Sequence, residues 1–303
     1  MGRNALLRVM VVAAMAGSAV TLTGGSANAA TGVFRSGDNV VVNAASGRAN
    51  NITVSLSGSF VVIQDTADTL TAGTGCAVQI NGSVACTIDL IRASVVVNAG
   101  DGNDIITKTG AIRGELNGGS GNDTINGGPT QGNTNVLSGG PGNDTLNGGP
   151  VGDLLLGGPG ADTLRGGAGF DVVSYLESTS GVVVDFDNVA DDGVGGEGDN
   201  VLTDLEAIYG SDFGDTITGS ALNDGMIGFG GNDRLVGGAG NDNLTGDLVG
   251  GIGGVGADTL IGGIGNDTLD GVDGVFGNDT LDGGANVDTC TADFADPKSF
   301  CEA

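Results

Sequence analysis

The chain has 303 residues, of which 62 are glycine and only 4% aromatic, a balance that argues against an ordinary pair of globular cores. Acids outnumber bases 37 to 10, for a formal charge of -27, so nucleic acid and anionic membrane surfaces are excluded as charge-matched partners. There is no histidine, which excludes a Ser-His-Asp triad or a zinc-protease site of the usual kind.

Residues 1–29 read as a secretory signal. Arg3 and Arg8 charge its start, residues 9–20 are apolar, and Ala27-Asn28-Ala29 forms a small-residue cleavage pattern that leaves Ala30 first. That apolar run is far shorter than the roughly 20 residues a membrane span needs, so no span is expected. The four cysteines fall as two close pairs. Of the three possible connectivities, the local one is expected in an exported chain, Cys76 with Cys86 and Cys290 with Cys301.

From residue 30 to 98 the pattern is strand-like, with β-branched runs at 40–42, 52–56, 60–63, 77–80 and 94–97 separated by Gly, Ser, Asn and Asp. Ile52-Thr53-Val54-Ser55-Leu56 alternates as a strand with one buried face does. Asn81-Gly82 between Cys76 and Cys86 predicts a hairpin closed by a disulfide. The whole stretch is expected to cap whatever stacks behind it.

Beyond residue 98 a nonapeptide is written again and again, G-G-x-G-x-D-x-U-x with U a large apolar residue, seen clearly in residues 139–147. One block occupies 99–174 and a second 210–291. The turn acids are Asp104, Asp123, Asp144, Asp153, Asp162 and Asp171 in the first, and Asp215, Asp224, Asp233, Asp242, Asp258, Asp267, Asp279 and Asp288 in the second. Two units lack the acid, with Gly114 and Asn135 in its place. Between the blocks, 175–209 breaks the period with a strand-like run at 181–186 and an acidic loop at 191–199, expected to be a solvated excursion. Residues 292–303 form a tail that a Cys290–Cys301 bond would fold over the open end, covering an exposed strand edge.

A single unit buries almost nothing, so the units must stack. Two nonapeptides make one turn of an all-β cylinder, and turns repeat at the strand spacing of about 4.8 Å. Equivalent aspartates then become neighbours, and two carboxylates about 5 Å apart repel by roughly 3 kcal/mol at an effective dielectric near 20. A hard cation removes that conflict. Calcium takes about 6 to 8 oxygens, which carboxylates and glycine carbonyls can supply, whereas zinc and copper prefer His or thiolate and magnesium demands tighter octahedral geometry. Multiple calcium ions are therefore expected, and the chain is expected to stay unfolded without them.

The pattern resembles the hemolysin-type calcium-binding repeat of the RTX (repeats-in-toxin) family across about two-thirds of the mature chain. The resemblance implies a right-handed parallel β-roll (β-solenoid) in which turn aspartates and glycine carbonyls hold calcium. Carried over by position, the carbonyl donors are Gly100, Gly102, Gly119, Gly121, Gly140, Gly142, Gly158, Gly160, Gly167, Gly169, Gly238, Gly240, Gly254, Gly256, Gly263, Gly265 and Gly277. Two departures stand out: Val151 and Asn286 replace glycines, and an N-terminal signal implies Sec-type export, whereas many RTX proteins use an uncleaved C-terminal signal.

The function expected is that of a secreted, monomeric, calcium-binding structural or surface-associated protein and not an enzyme. An adhesin or ice-binding role is the alternative, on the row Thr124, Thr145, Thr163, Thr216, Thr259, Thr268 and Thr280 beside the apolar positions. An RTX-tailed hydrolase is a weaker one, because nearly every acid belongs to a turn. No protein partner can be named.

Overall fold

The computed structural model describes residues 30–89, 91–130, 134–248 and 255–302, and among these every regular element is a strand. The signal expected at 1–29 lies outside the described residues. Each nonapeptide contributes one short strand followed by a glycine turn, and successive units fall in opposite sheets. Thr145–Gly149 lies in one sheet and Asp153–Leu156 in the other.

Sheet A, with thirteen strands among the described residues, runs the full length of the molecule. Facing it are two shorter sheets, B over the first half and C over the second. From Asn39–Asn43 onward the strands of sheet A pair in parallel, which places the apolar position of each unit on that of the next. Leu116, Leu137, Leu155, Val173, Ile208, Met226, Leu244 and Leu269 form one such file. Opposite it stand Ile106, Ile125, Leu146, Leu164 and Val201 in sheet B, and Val184, Ile217, Leu235, Leu260 and Leu281 in sheet C. All of these side chains are buried. Each contributes about 1.5–3 kcal/mol before chain entropy is subtracted, and between the sheets there is room for little else.

The N-terminal region joins the same two sheets by different means. Thr31–Ser36 with Asn39–Asn43, and Asn51–Ser57 with Phe60–Asp65, are antiparallel hairpins. Asn39–Asn43 then pairs in parallel with Ser94–Asp101, and Asn51–Ser57 with Ile105–Lys108. The strand expected at 77–80 is shorter, Cys76–Val78, and faces Val84–Thr87 around Gly82. Cys76 and Cys86 lie directly opposite and are bonded.

Residues 175–209 are not a solvated excursion. Asp192 and Asp199 are buried, Asn200–Val201 pairs with Thr163–Gly167 as the last strand of sheet B, and Val182–Asp185 begins sheet C. Val172–Ser174 pairs directly with Ala207–Tyr209, so sheet A passes through the interruption unbroken. At the far end Lys298–Ser299 pairs with Thr280–Ala285, and Cys290–Cys301 ties the tail to the last strand of sheet A. The threonine row does not form one face: Thr124, Thr145 and Thr163 lie in sheet B. Thr216, Thr259 and Thr280 lie in sheet C, interrupted by Arg234, and Thr268 lies in sheet A.

Candidate metal centre

The aspartate of each nonapeptide comes just before its strand, at the mouth of the turn. All fourteen turn aspartates are at most 3% exposed, which is unusual for carboxylates without a cationic side chain to pair with. Along one edge their Oδ1 atoms accept the backbone N–H of the equivalent residue one turn earlier. Asp104 donates to Asp123 (2.7 Å), Asp123 to Asp144 (2.7 Å) and Asp144 to Asp162 (2.7 Å). The other edge repeats this from Asp153 to Asp171 (2.7 Å), and again from Asp224 through Asp242 and Asp267 to Asp288. Stacked aspartates are thus joined through one oxygen each.

The second oxygen is different. In every turn aspartate except Asp215 and Asp224, Oδ2 is buried and has no hydrogen-bond partner. In most units it lies over the first glycine of the unit. A Cβ on Gly139 would meet Oδ2 of Asp144 at 2.2 Å, and one on Gly157 would meet Oδ2 of Asp162 at 2.3 Å. Gly140 and Gly142 come next with φ of 101° and 151°, a conformation open to glycine. The turns there are so close that a Cβ on Gly142 would lie 1.7 Å from the carbonyl oxygen of Gly121. The result is a row of unbonded carboxylate oxygens beside closely stacked glycine carbonyls, an all-oxygen donor set suited to a hard cation.

A model of the family described as RTX calcium-binding nonapeptide repeat (4 copies) matches residues 115–129, 131–150, 138–173, 209–244, 252–275 and 272–295. These are RTX calcium-binding repeats. No curated protein matches the chain.

Within the RTX roll, burial is the largest cause of the aspartates' raised pKa values, which reach about 6 for Asp104, Asp144, Asp153 and Asp242. They reach about 7 for Asp171, Asp258 and Asp279, and about 8 for Asp162 and Asp233. Repulsion between stacked carboxylates, the cost expected from the sequence, adds a smaller push in the same direction. The cost of the metal-free roll is mainly lost hydration. Among the described residues no three His, Cys, Asp or Glu side chains gather as a metal-binding group, so a cation here would take most of its oxygens from the backbone.

Of the RTX glycines expected as carbonyl donors, Gly254 lies outside the described residues. Gly256 departs from the rest: its φ is not left-handed, and its carbonyl accepts a hydrogen bond from Nδ2 of Asn278. The others all take positive φ. Asn286, in a glycine's place, adopts φ of 92°, and both its unit and that of Val151 keep an unbonded Oδ2, on Asp288 and Asp153. The exceptions fall elsewhere. Serine comes after the first glycine in two units, and Ser211 N donates to Oδ2 of Asp215 (2.6 Å) as Ser220 N does to Oδ2 of Asp224 (2.5 Å).

Four further acids occupy slots in these rows outside the regular repeat; only Asp199 follows glycines, Gly195-Gly196-Glu197-Gly198, one residue short of the motif. Asp199 receives the N–H of Asp162, Glu206 that of Asp171, Asp296 that of Asp279 and Glu302 that of Asp288. Asp199-Asn200-Val201 and Glu206-Ala207-Ile208 keep the acid-x-apolar core of the unit, a signal that could have located two of them. Asp199 Oδ2 also accepts the buried hydroxyl of Tyr175 (3.0 Å).

Proposed function

We propose that this chain is an exported, monomeric structural protein whose RTX roll completes its folding when calcium enters the turn rows. The observation that carries the reading is the buried, unbonded Oδ2 of Asp104, Asp123, Asp144, Asp153, Asp162, Asp171, Asp233, Asp242, Asp258, Asp267, Asp279 and Asp288. Such an oxygen costs about 1–3 kcal/mol when left without a partner, and more when charged. A row of them is a standing cost in the metal-free roll.

Calcium, when bound, supplies positive charge and a demand for about 6 to 8 oxygens. The aspartate Oδ2 atoms would meet part of that demand, and glycine carbonyls such as those of Gly119, Gly121, Gly140 and Gly142 much of the rest. The N–H groups of the preceding turn hold each Oδ1, so the carboxylate is aimed before any cation arrives. Because these positions converge only in the stacked state, binding free energy becomes folding free energy. The two local disulfides and the signal-like residues 1–29 support action outside the cell, where calcium is abundant. Commitment of the acids to turns supports a structural role over a catalytic one.

The division that fits this reading is a signal at 1–29, a cap at 30–98, roll segments at 99–174 and 210–291 joined through 175–209, and a closing tail at 292–303. Far-UV circular dichroism of the chain from Ala30 tests it. After chelation, calcium should convert coil signal to β signal and magnesium should do little; an unchanged, fully β spectrum throughout overturns it.

A further inference from the structure

One turn of the roll is built on the opposite charge. On the sheet A edge the slot held by Asp171 and Asp153 is held one turn earlier by Asn135, and one turn earlier still by Gly114, which donates its N–H to Oδ1 of Asn135 (3.0 Å). The acid side chain thins to an amide and then to nothing. In the same turn the first glycine is also missing. Lys108 comes after Thr107, as Gly127 comes after Asn126 in the strand paired with it.

The two changes compensate each other in space. In ordinary turns on this edge the first glycine leaves room for the carboxylate: a Cβ on Gly148 would lie 2.6 Å from Oδ2 of Asp153, and one on Gly166 would lie 2.7 Å from Oδ2 of Asp171. Here the crowding is reversed. A Cβ on Gly114 would lie 3.0 Å from both Cδ and Cε of Lys108. The lysine is only 2% exposed, and its ammonium donates to the carbonyl of Gly110 in its own turn (3.2 Å) and to that of Pro129 in the next. It therefore bridges two successive turns through backbone oxygens. The matches to the RTX family begin at Glu115, immediately beyond this turn.

We propose that Lys108 is a tethered cation, which does for the turn at residues 108–114 what calcium does for the aspartate-lined turns, so that this edge of the roll assembles without metal. The proposal rests on the calcium-binding reading of the other turns. It assigns the metal-free boundary of the roll to one reciprocal exchange, Gly and Asp in the ordinary turn for Lys and Gly here. The strands Ser94–Asp101 and Arg113–Ser120 then present a formed template on which calcium-dependent turns add.

Hydrogen exchange of the full mature chain in chelator is the first test. The wild-type protein should retain protection at Ser94–Asp101 and Arg113–Ser120, and Lys108→Met, which keeps the volume and removes the charge, should lose at least about tenfold of it, equivalent to about 1.4 kcal/mol. Protection unchanged in K108M, or absent from the wild type, overturns the proposal. The second test restores the ordinary turn with Lys108→Gly, Gly114→Asp and Asn135→Asp together, and applies if K108M fails to fold. This variant should bind at least one more calcium per chain by titration calorimetry, with protection at Arg113–Ser120 becoming calcium-dependent. No additional ion overturns the tethered-cation assignment, whereas failure of the wild type to bind any calcium removes the broader reading and leaves the chelator experiment to decide on Lys108.

Discussion

The hairpin region at residues 31–98 and the repeats beyond it share sheets A and B but are held together differently. In the first, the interior is built from Val33, Val40, Val42, Ile52, Val54, Val61, Ile63, Val84, Val95 and Val97, and none of its described aspartates is buried. Its asparagine ladder is neutral, Asn98 donating to Asn43 (2.8 Å) and Asn117 to Asn98 (2.9 Å). In the second, a single file of Leu, Ile, Val and Met per sheet comes with one buried carboxylate in nearly every nonapeptide. Backbone pairing differs as well, antiparallel hairpins in the first and parallel rungs throughout the second, but the two regions meet in parallel pairs, and what most separates their needs is hydrocarbon in one and buried acids in the other. The proposed function then implies that a stack filled with hydrocarbon holds by itself and one lined with acids depends on a cation.

The strongest way to break that contrast is chelation combined with region-resolved hydrogen exchange. The repeats from Thr124 onward should lose most protection while Asn51–Ser57 and Phe60–Asp65 keep theirs; equal loss in both would remove the distinction. Acid should act next most strongly, and in the stabilising direction for the metal-free roll. Burial raises Asp104, Asp144, Asp153, Asp162, Asp171, Asp233, Asp242, Asp258 and Asp279 to between about 6 and 8 when folded, against an ordinary value of 3.8. In that window the folded roll binds more protons than the unfolded chain, so without metal its stability rises as pH falls from about 8 towards 4, and falls again as pH rises. Chelated protein melted across that range should show the repeats gaining and the hairpin region barely responding.

Single substitutions sharpen the comparison further. Leu146→Ala should cost about 2–5 kcal/mol and raise the calcium concentration needed for folding, whereas Ile52→Ala, of similar cost, should leave the calcium midpoint of the later repeats unmoved. The smallest expected effect is that of Ser220→Gly. It removes the hydroxyl bond to Asp224 Oδ2 (3.0 Å) and should destabilise the metal-free protein by about 0.5–1.5 kcal/mol while making that turn more responsive to calcium in equilibrium melts.

Periodicity carried most of this architecture. The fourteen aspartates placed by the repeat are all buried in the turn rows, because an acid two residues before an inward apolar side chain can reach only the mouth of the turn. What periodicity could not show is what fills a slot once the motif lapses. Asp199 enters the rows one residue early after Gly195-Gly196-Glu197-Gly198, and Glu206 enters from a stretch with no glycine at all, both placed there by strand pairing. Lys108 stands where a glycine belongs, and its meaning depends on Gly114, an absence six residues later that only shared space reveals. Serine caps on Asp215 and Asp224 were hidden for a similar reason: a serine in place of a glycine looks like mere tolerance until its N–H is seen to meet Oδ2, the oxygen left free elsewhere, with the hydroxyl donating to Oδ1 of Asp215 in one unit and to Oδ2 of Asp224 in the other.

The bonded aspartates also measure how much chain each circuit consumes. Asp215 and Asp233 are 18 residues apart, Asp258 and Asp279 are 21 apart, and Asp233 and Asp258 are 25 apart, yet the bond between each pair is 2.8 or 2.9 Å long. Contour length is thus uncoupled from pitch. Foreign peptides spliced between Asp233 and Asp258 would be carried outside the cylinder without changing its gauge, which makes the scaffold a ruler that can display cargo at fixed intervals.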